Sequence, residues 1–276
     1  AVGVGMQTNL LFLTGGPGTG KTRTLALLLA CMLKESPGLS IALAAPTGKS
    51  AHRMRQSIAQ TLEDVNLPSE VAEKLLHSAR ASTLHRLLGS VHGSVDFRRN
   101  AGNPLSCDVV VVDEVSMVDL PLMAKLCSAL SQDAVLILAG DADQLSPVQG
   151  GAVFNSLVRE LIPNTFYTHQ KTNLAPFSKL GRFQESNHPL GGCLVNLSHS
   201  HRRSRQEPST DELGNLCDAI REGRGEDALS MVRASEDSLC LIESLDDPVI
   251  PQLLRQGFEF LNHSTGPQEA ISALGK

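Results

Sequence analysis

Residues 10–22 read LLFLTGGPGTGKT, and this stretch decides the fold. A short apolar run of strand length leads into a turn that contains four glycines. Residues 22–34, which follow the turn, are rich in Leu and Ala and have the spacing of a helix. The order of strand, glycine-rich turn and helix is typical of the first unit of an α/β protein with a parallel sheet.

Three more apolar runs have the length of buried strands, and each ends in a polar or glycine-rich turn. They read SIALAAPTG at 40–48, DVVVVDE at 108–114 and AVLILAGD at 134–141, with helical patterns at 49–62, 69–79 and 120–130. The alternation predicts an α/β fold in which helices cover both faces of a parallel sheet. Because ligands collect at the carboxyl ends of parallel strands, we expect these strand ends to form one site.

Composition excludes some classes of protein and leaves others open. The net charge of -5 argues against a uniformly basic nucleic-acid coat, although it is compatible with a local basic groove. The six cysteines include no CxxC pair, so neither a zinc site nor a disulfide framework is indicated, and a reducing cytoplasm fits best. No apolar run approaches the ~20 residues that span a bilayer, so we expect no membrane association.

Residues 15–22 match the pattern GxxxxGK[ST], which binds the phosphates of a nucleotide. The glycines allow backbone N–H groups to point at the phosphates, Lys21 supplies a cation, and the Thr22 hydroxyl can ligate magnesium. A glycine turn without a ligand is the alternative. We predict bound ATP and Mg²⁺, with nucleotide contacts from Gly16, Pro17, Gly18, Thr19, Gly20, Lys21 and Thr22.

Carboxylates follow the third and fourth predicted strands. Asp113 is placed to hold Mg²⁺, directly or through water, and Glu114 to orient or deprotonate the attacking water. After the fourth strand come Asp141, Asp143 and Gln144, of which the Gln144 amide could sense the terminal phosphate. A solvated acidic turn is the alternative interpretation of the Asp-Glu pair.

These motifs, with AAPTGKSA at 44–51 and STLHRLLG at 82–89, resemble the RecD-like superfamily 1 DNA helicases. The resemblance covers residues 10–161 and implies a RecA-like P-loop motor domain. The family motif that corresponds to residues 45–51 is APTGKAA, so Ser50 occupies a position where alanine is usual. Similarly, Val115 replaces the alanine of the family motif VVDEASMVD.

By resemblance, the loops after the second strand and before LHRLLG contact single-stranded DNA. Hydroxyl and cationic groups suit contacts with the phosphate backbone. A helix N-cap is an alternative role for Thr47, and packing on a helix face is one for His85. The predicted DNA-binding residues are Pro46, Thr47, Lys49, Thr83 and His85.

The resemblance also predicts the domain organisation. Residues 1–165 form the first motor domain, and residues 90–105 within it form either a strand-separating hairpin or a surface loop. Residues 166–190 form a linker. Residues 191–276 begin an incomplete second motor domain. In that region LSHSHRR resembles motif IV, although His201 replaces the usual aromatic residue. Arg202 is then expected to stabilise charge on the terminal phosphate. Motifs V and VI have no counterpart, so we expect the chain to be part of a longer protein and to hydrolyse ATP weakly by itself.

The function implied by the resemblance is an ATP-dependent DNA helicase motor. ATP hydrolysis would drive 5'-3' translocation on single-stranded DNA during recombinational repair of double-strand breaks. Single-stranded DNA or DNA ends are the expected partners, and the motor would act either with RecB-like and RecC-like subunits or alone, as related helicases do. One alternative is a nucleotide-binding regulatory or DNA-binding subunit without unwinding activity. Another is a P-loop ATPase that acts on RNA or protein.

Overall fold

A six-stranded parallel sheet lies at the centre of the first part of the chain in the computed structural model. The structure describes residues 1–65, 69–78, 81–144, 151, 153–174, 184–199 and 212–235, with short pieces between residues 239 and 255. The strands are β1 (Leu10–Thr14), β2 (Ile41–Ala45), β3 (Ala81–Thr83), β4 (Val109–Val112), β5 (Val135–Gly140), β6 (Thr165–Phe166), β7 (Gln184–Glu185) and β8 (Leu194–Asn196). The main sheet has the order β3-β2-β4-β5-β1-β8, and β6 pairs with β7 separately.

Helices connect the strands of the sheet, as the alternating pattern predicts. The described helices are α1 (Val2–Gly5), α2 (Lys21–Glu35), α3 (Gly48–Asp64), α4 (Ser69–Ser78), α5 (Leu84–Leu88), α6 (Leu120–Ala129), α7 (Val153–Glu160), α8 (Thr168–Leu174), α9 (Glu212–Arg221) and α10 (Gly225–Ala234). A short 3-10 helix, Val115–Met117, follows β4. The four predicted strands and the helical patterns after them are therefore confirmed, with bounds that differ by at most three residues.

The strands are buried on both faces, because alternate residues of one strand enter different hydrophobic clusters. In β1, Leu11 and Leu13 belong to a cluster with α2, α3 and α4, whereas Phe12 belongs to a cluster with α5, α6 and α7. The valines of β4 divide in the same way: Val109 and Val111 join the first cluster. This arrangement confirms the α/β fold with helices on both faces of the sheet.

Part of the segment predicted to form a linker and a second domain contributes to the first compact unit. Strand β8 pairs in parallel with β1, and Phe12 N donates to the Cys193 carbonyl at 2.7 Å. Within the predicted linker, Phe166 and Leu174 are buried in the cluster that contains α2. The boundary predicted at residue 191 thus precedes a strand of the main sheet, and the first unit extends to Gln206. A three-residue strand is too short to give a recognisable pattern.

Residues 90–105 contain two antiparallel bridges, Ser90 with Phe97 and Asn100 with Asn103. Lys125 of α6 forms an ion pair with Asp96 at 2.6 Å, while Val95 at the tip is 87% exposed. Residues 90–105 therefore form a small hairpin-like insertion. Its predicted strand-separating role stays a prediction.

The second compact unit comprises Glu207–Lys276, and α9 and α10 are its described helices. Ser235, after α10, donates its hydroxyl to the Glu212 carboxylate at 2.6 Å. Among the described helices of both units, none is long and apolar enough to cross a membrane.

Candidate nucleotide-binding site

The glycine-rich loop lies between β1 and the first turn of α2. Gly18 and Gly20 have φ angles of 76° and 84°, in the left-handed region that favours glycine, and Gly20 is the N-cap of α2. The Thr19 hydroxyl closes the loop by donating to the Gly16 carbonyl at 2.8 Å. The loop therefore leads into a helix N-terminus, where unpaired N–H groups and the helix dipole attract an anion.

Lys21 is the cation of this loop. Its Nζ atom donates to the carbonyl oxygens of Gly15 and Gly16 at 2.5 and 3.2 Å. Burial lowers the pKa of Lys21, and the negative charges of Asp141, Asp113 and Glu114 oppose that shift. A polyanion that displaced the two carbonyls would supply a full negative charge in their place.

The polar ends of β4 and β5 meet the loop at one cavity of about 150 Å³. Its lining combines a lysine, a hydroxyl, three carboxylates and an amide at the carboxyl edge of the sheet. The lining residues are Lys21, Thr22, Asp113, Glu114, Gly140, Asp141 and Gln144. The structure thus brings together five of the predicted site residues, namely Lys21, Thr22, Asp113, Glu114 and Gln144.

Asp113 follows β4 directly. Burial raises the pKa of Asp113, while the Glu114 N–H group, which donates to Oδ1 at 2.9 Å, lowers it. The nearby charge of Glu114 raises the pKa of Asp113 further, and Lys21 lowers it. Together with the Thr22 hydroxyl, this carboxylate gives the hard oxygen ligands that Mg²⁺ prefers, so the residues present fit the predicted ion.

Glu114 has an unusual backbone conformation for a residue with a side chain. Its φ and ψ angles are 52° and 37°, in the left-handed region, which costs about 1 kcal/mol for a non-glycine residue. Its Oε2 atom accepts a hydrogen bond from the Ser50 hydroxyl at the start of α3. Strained residues of this kind concentrate at functional sites, and here the strain places a carboxylate at the cavity.

Gln144 and Asp141 follow β5. The Gln144 side-chain oxygen accepts a hydrogen bond from the buried Ser116 hydroxyl at 3.3 Å, which ties the turn after β5 to the turn after β4. Asp141 is 5% exposed, and its charge has the largest effect among those that raise the pKa of Lys21. No role is predicted for Asp141 from the sequence, although its position directly after a buried strand is the signal that places it at the site.

The predicted DNA-binding residues lie at the same edge, beyond β2 and β3. Thr47 is the N-cap of α3, where its Oγ1 atom accepts from Ser50 N at 3.1 Å, and Thr83 caps α5 by accepting from Arg86 N at 3.3 Å. The His85 and Phe97 ring centroids are 5.8 Å apart. Both alternative roles are therefore present, yet Thr47, Lys49 and His85 remain exposed, and Pro46 is half-buried.

One predicted site residue lies outside the described residues. Arg202 and its neighbours in the motif IV region belong to the undescribed stretch 200–211. The predicted role of Arg202 stays a prediction.

The fold and the site define a P-loop nucleotide-binding domain of the α/β class. A family model described as an AAA domain matches residues 1–150, and the chain belongs to this family. It is 38% identical over 238 residues to the RecBCD enzyme subunit RecD of Haemophilus influenzae. The matched residues make up 84% of this chain and 36% of that protein. The ATP-dependent RecD2 DNA helicase of Deinococcus radiodurans is 42% identical over 142 residues, 51% of this chain and 17% of that protein.

These relatives confirm the RecD-like resemblance. The chain spans only 36–40% of the length of the RecD subunits from Haemophilus influenzae and Mycobacterium tuberculosis. Among solved structures, the Pif1 helicase from Candida albicans shares 16% identity at a TM-score of 0.39, covering 93% of this chain and 52% of that one. A likeness this low does not bear on function.

Proposed function

We propose that the chain is the nucleotide-binding part of an ATP-dependent DNA helicase motor. The observation that carries the proposal is the cavity in which Lys21 and Thr22, at the start of α2, meet the Asp113-Glu114 pair, which follows β4. A cation, a hydroxyl and two adjacent carboxylates in that arrangement match the requirements of phosphoryl transfer to water.

The predicted site residues have distinct roles in the proposed reaction. Lys21 moves from its loop carbonyls to the outer phosphates of ATP. Thr22 and Asp113 would hold Mg²⁺, which would supply positive charge beside the phosphate oxygens. Glu114 orients the attacking water and accepts its proton. Gln144, tied to Ser116, reports the presence of the terminal phosphate to the turn after β4. Arg202 supplies positive charge in the transition state.

The proposed DNA contacts connect this chemistry to movement. Thr47, Lys49, Thr83 and His85, beside Pro46, lie beyond β2 and β3, and β2 neighbours the strand that carries Asp113. Backbone contacts of this type bind single-stranded DNA without sequence preference. We propose that ATP turnover drives stepwise 5'-3' translocation on single-stranded DNA, in cytoplasmic repair of double-strand breaks with RecB-like and RecC-like subunits.

The test measures ATP hydrolysis by the full-length protein with and without single-stranded DNA, and strand displacement on duplexes with a 5' or a 3' tail. Wild type should show DNA-stimulated hydrolysis and unwind the 5'-tailed duplex. Glu114→Gln should abolish hydrolysis while nucleotide still binds, whereas Glu160→Gln, an exposed carboxylate on α7, should change nothing.

Other outcomes separate the alternatives. Stimulation by RNA or protein but not by single-stranded DNA would identify a P-loop ATPase with another substrate. DNA-stimulated hydrolysis without strand displacement on either duplex would indicate a regulatory subunit. A Glu114→Gln variant with wild-type turnover would refute the assignment of the site.

A further inference from the structure

Ser50 occupies the position at which RecD-like helicases usually have alanine, and it contacts the proposed catalytic carboxylate. The residue is 8% exposed, in the first turn of α3, and its hydroxyl donates to Glu114 Oε2. We propose that Ser50 is a positioning residue that holds Glu114 away from the attacking water until single-stranded DNA contacts the start of α3. This inference rests on the proposed function of the site.

The hydrogen atoms of the cluster fix the direction of its hydrogen bonds. A hydroxyl has one hydrogen to donate, and a carboxylate oxygen only accepts, so the single hydrogen of Ser50 Oγ is committed to Glu114. The 2.7 Å contact between Thr47 Oγ1 and Ser50 Oγ must then have Thr47 as the donor. A chain of donation therefore runs from Thr47 through Ser50 to Glu114.

The first member of this chain is accessible to DNA, and its last member lines the cavity. Thr47 is exposed at the N-terminus of a 17-residue helix, where N–H groups and the helix dipole attract phosphate. Glu114 lies beside Lys21 and Thr22 in the cavity lining. The Thr47-Ser50-Glu114 chain thus joins the proposed DNA contact to the proposed hydrolysis site through two hydrogen bonds.

DNA can weaken the Thr47-Ser50-Glu114 series of hydrogen bonds by accepting the hydrogen of the Thr47 hydroxyl. A phosphate oxygen that accepts the Thr47 hydroxyl hydrogen removes the donor from Ser50 Oγ. Because successive hydrogen bonds polarise and strengthen one another, loss of the first bond weakens the second. Glu114, whose left-handed backbone is already strained, is then released toward the water. The population of the released state sets the rate of hydrolysis.

Removal of the hydroxyl tests the direction of this effect. A bond that held Glu114 in its productive position would predict the opposite change in turnover. Ser50→Ala restores the usual family residue, so the variant is expected to fold.

The experiment measures kcat and KM for ATP of the full-length protein, without DNA and at saturating single-stranded DNA. Ser50→Ala should raise the DNA-free kcat about tenfold, because a hydrogen bond to a charged group shifts a two-state population by about that factor. KM for ATP and the DNA-stimulated kcat should stay near their wild-type values, so the stimulation factor falls. Ser50→Thr, which keeps the hydroxyl, should restore low DNA-free turnover.

Ser57→Ala, on the same helix but about two turns further along, is the matched control and should behave as wild type. An unchanged or lower DNA-free kcat in Ser50→Ala would overturn the inference, even if wild type is stimulated by DNA and Glu114→Gln is inactive. If wild type shows no DNA-stimulated hydrolysis, the proposed function fails first, and the inference fails with it.

Discussion

The Nζ atom of Lys21 lies 2.5 Å from the carbonyl oxygen of Gly15, so the lysine of the phosphate loop is bonded to the first glycine of the same loop. The bond keeps a half-buried ammonium group paired with a backbone acceptor. It also keeps that group at the mouth of the cavity, ready to exchange a neutral acceptor for a charged one. The ammonium group is charged in both bonds, but a phosphate oxygen carries negative charge and a carbonyl oxygen does not, so this exchange favours nucleotide binding.

Lys21→Ala should weaken ATP binding by about a hundredfold, because two charge-assisted contacts are lost and three carboxylates then face the phosphates without a cation. Fluorescence titration with a labelled ATP analogue measures the dissociation constant. Lys34→Ala, at the exposed end of the same helix, makes the same change in net charge and should leave the affinity unchanged. Equal affinities for Lys21→Ala and wild type would show that the nucleotide binds elsewhere.

Gly15→Ala should destabilise the protein by about 2 kcal/mol, because the added Cβ would clash with atoms that have little freedom to move. That atom would lie 2.6 Å from the backbone oxygen of Leu197 and 2.8 Å from Thr19 Oγ1. The matched control is Gly16→Ala, whose Cβ would meet nothing within 4 Å. Thermal unfolding of both variants is the measurement, and a Gly15→Ala variant as stable as Gly16→Ala would contradict the close approach of Leu197 to the loop.

The central strands were predictable because strands buried on both faces have a continuous apolar sequence. Runs such as DVVVVDE are apolar on both faces, and buried parallel strands require that composition. Strands β3 and β8 were not predicted, since Ala81–Thr83 and Leu194–Asn196 are short and depend on pairing with β2 and β1. Their presence is decided by tertiary contacts, which no local pattern encodes.

The same division applies to the site. The convergence of Lys21, Asp113 and Gln144 was predictable, because carboxyl ends of parallel strands share one edge. The bond between Ser50 and Glu114 joins residues 64 positions apart, and it depends on the left-handed backbone of Glu114. Neither the rotation of that side chain nor the proximity of Asp141 to Lys21 follows from strand order alone.

Asp141→Asn should reduce the dependence of nucleotide binding on Mg²⁺. Three carboxylates line the cavity against one lysine, so a nucleotide without its divalent cation is repelled, and removal of one charge lessens that repulsion. The measurement is the ratio of ADP affinities with Mg²⁺ and with EDTA, which should be smaller for the variant than for wild type. Asp143→Asn, in the same turn but outside the cavity lining, serves as the control, and a ratio equal to wild type in Asp141→Asn would contradict the proposed charge balance.

Asp108 and Ser40, which precede β4 and β2, should make stability depend on pH in the acid range. Ser40 donates from N and Oγ to Asp108 Oδ2 at 2.8 and 2.7 Å, and these bonds lower the pKa of Asp108 below its ordinary value of 3.8. A carboxyl with a lowered folded-state pKa stabilises the protein above its unfolded pKa, and that contribution is lost as pH falls through the folded value.

Asp108→Asn should therefore unfold more easily than wild type at pH 7, by less than about 1 kcal/mol for so exposed a group. The difference should shrink as pH falls below about 4. Urea unfolding at several pH values tests this, with the exposed Asp133→Asn as control; a difference independent of pH would show that the Ser40 bonds do not favour the charged carboxylate.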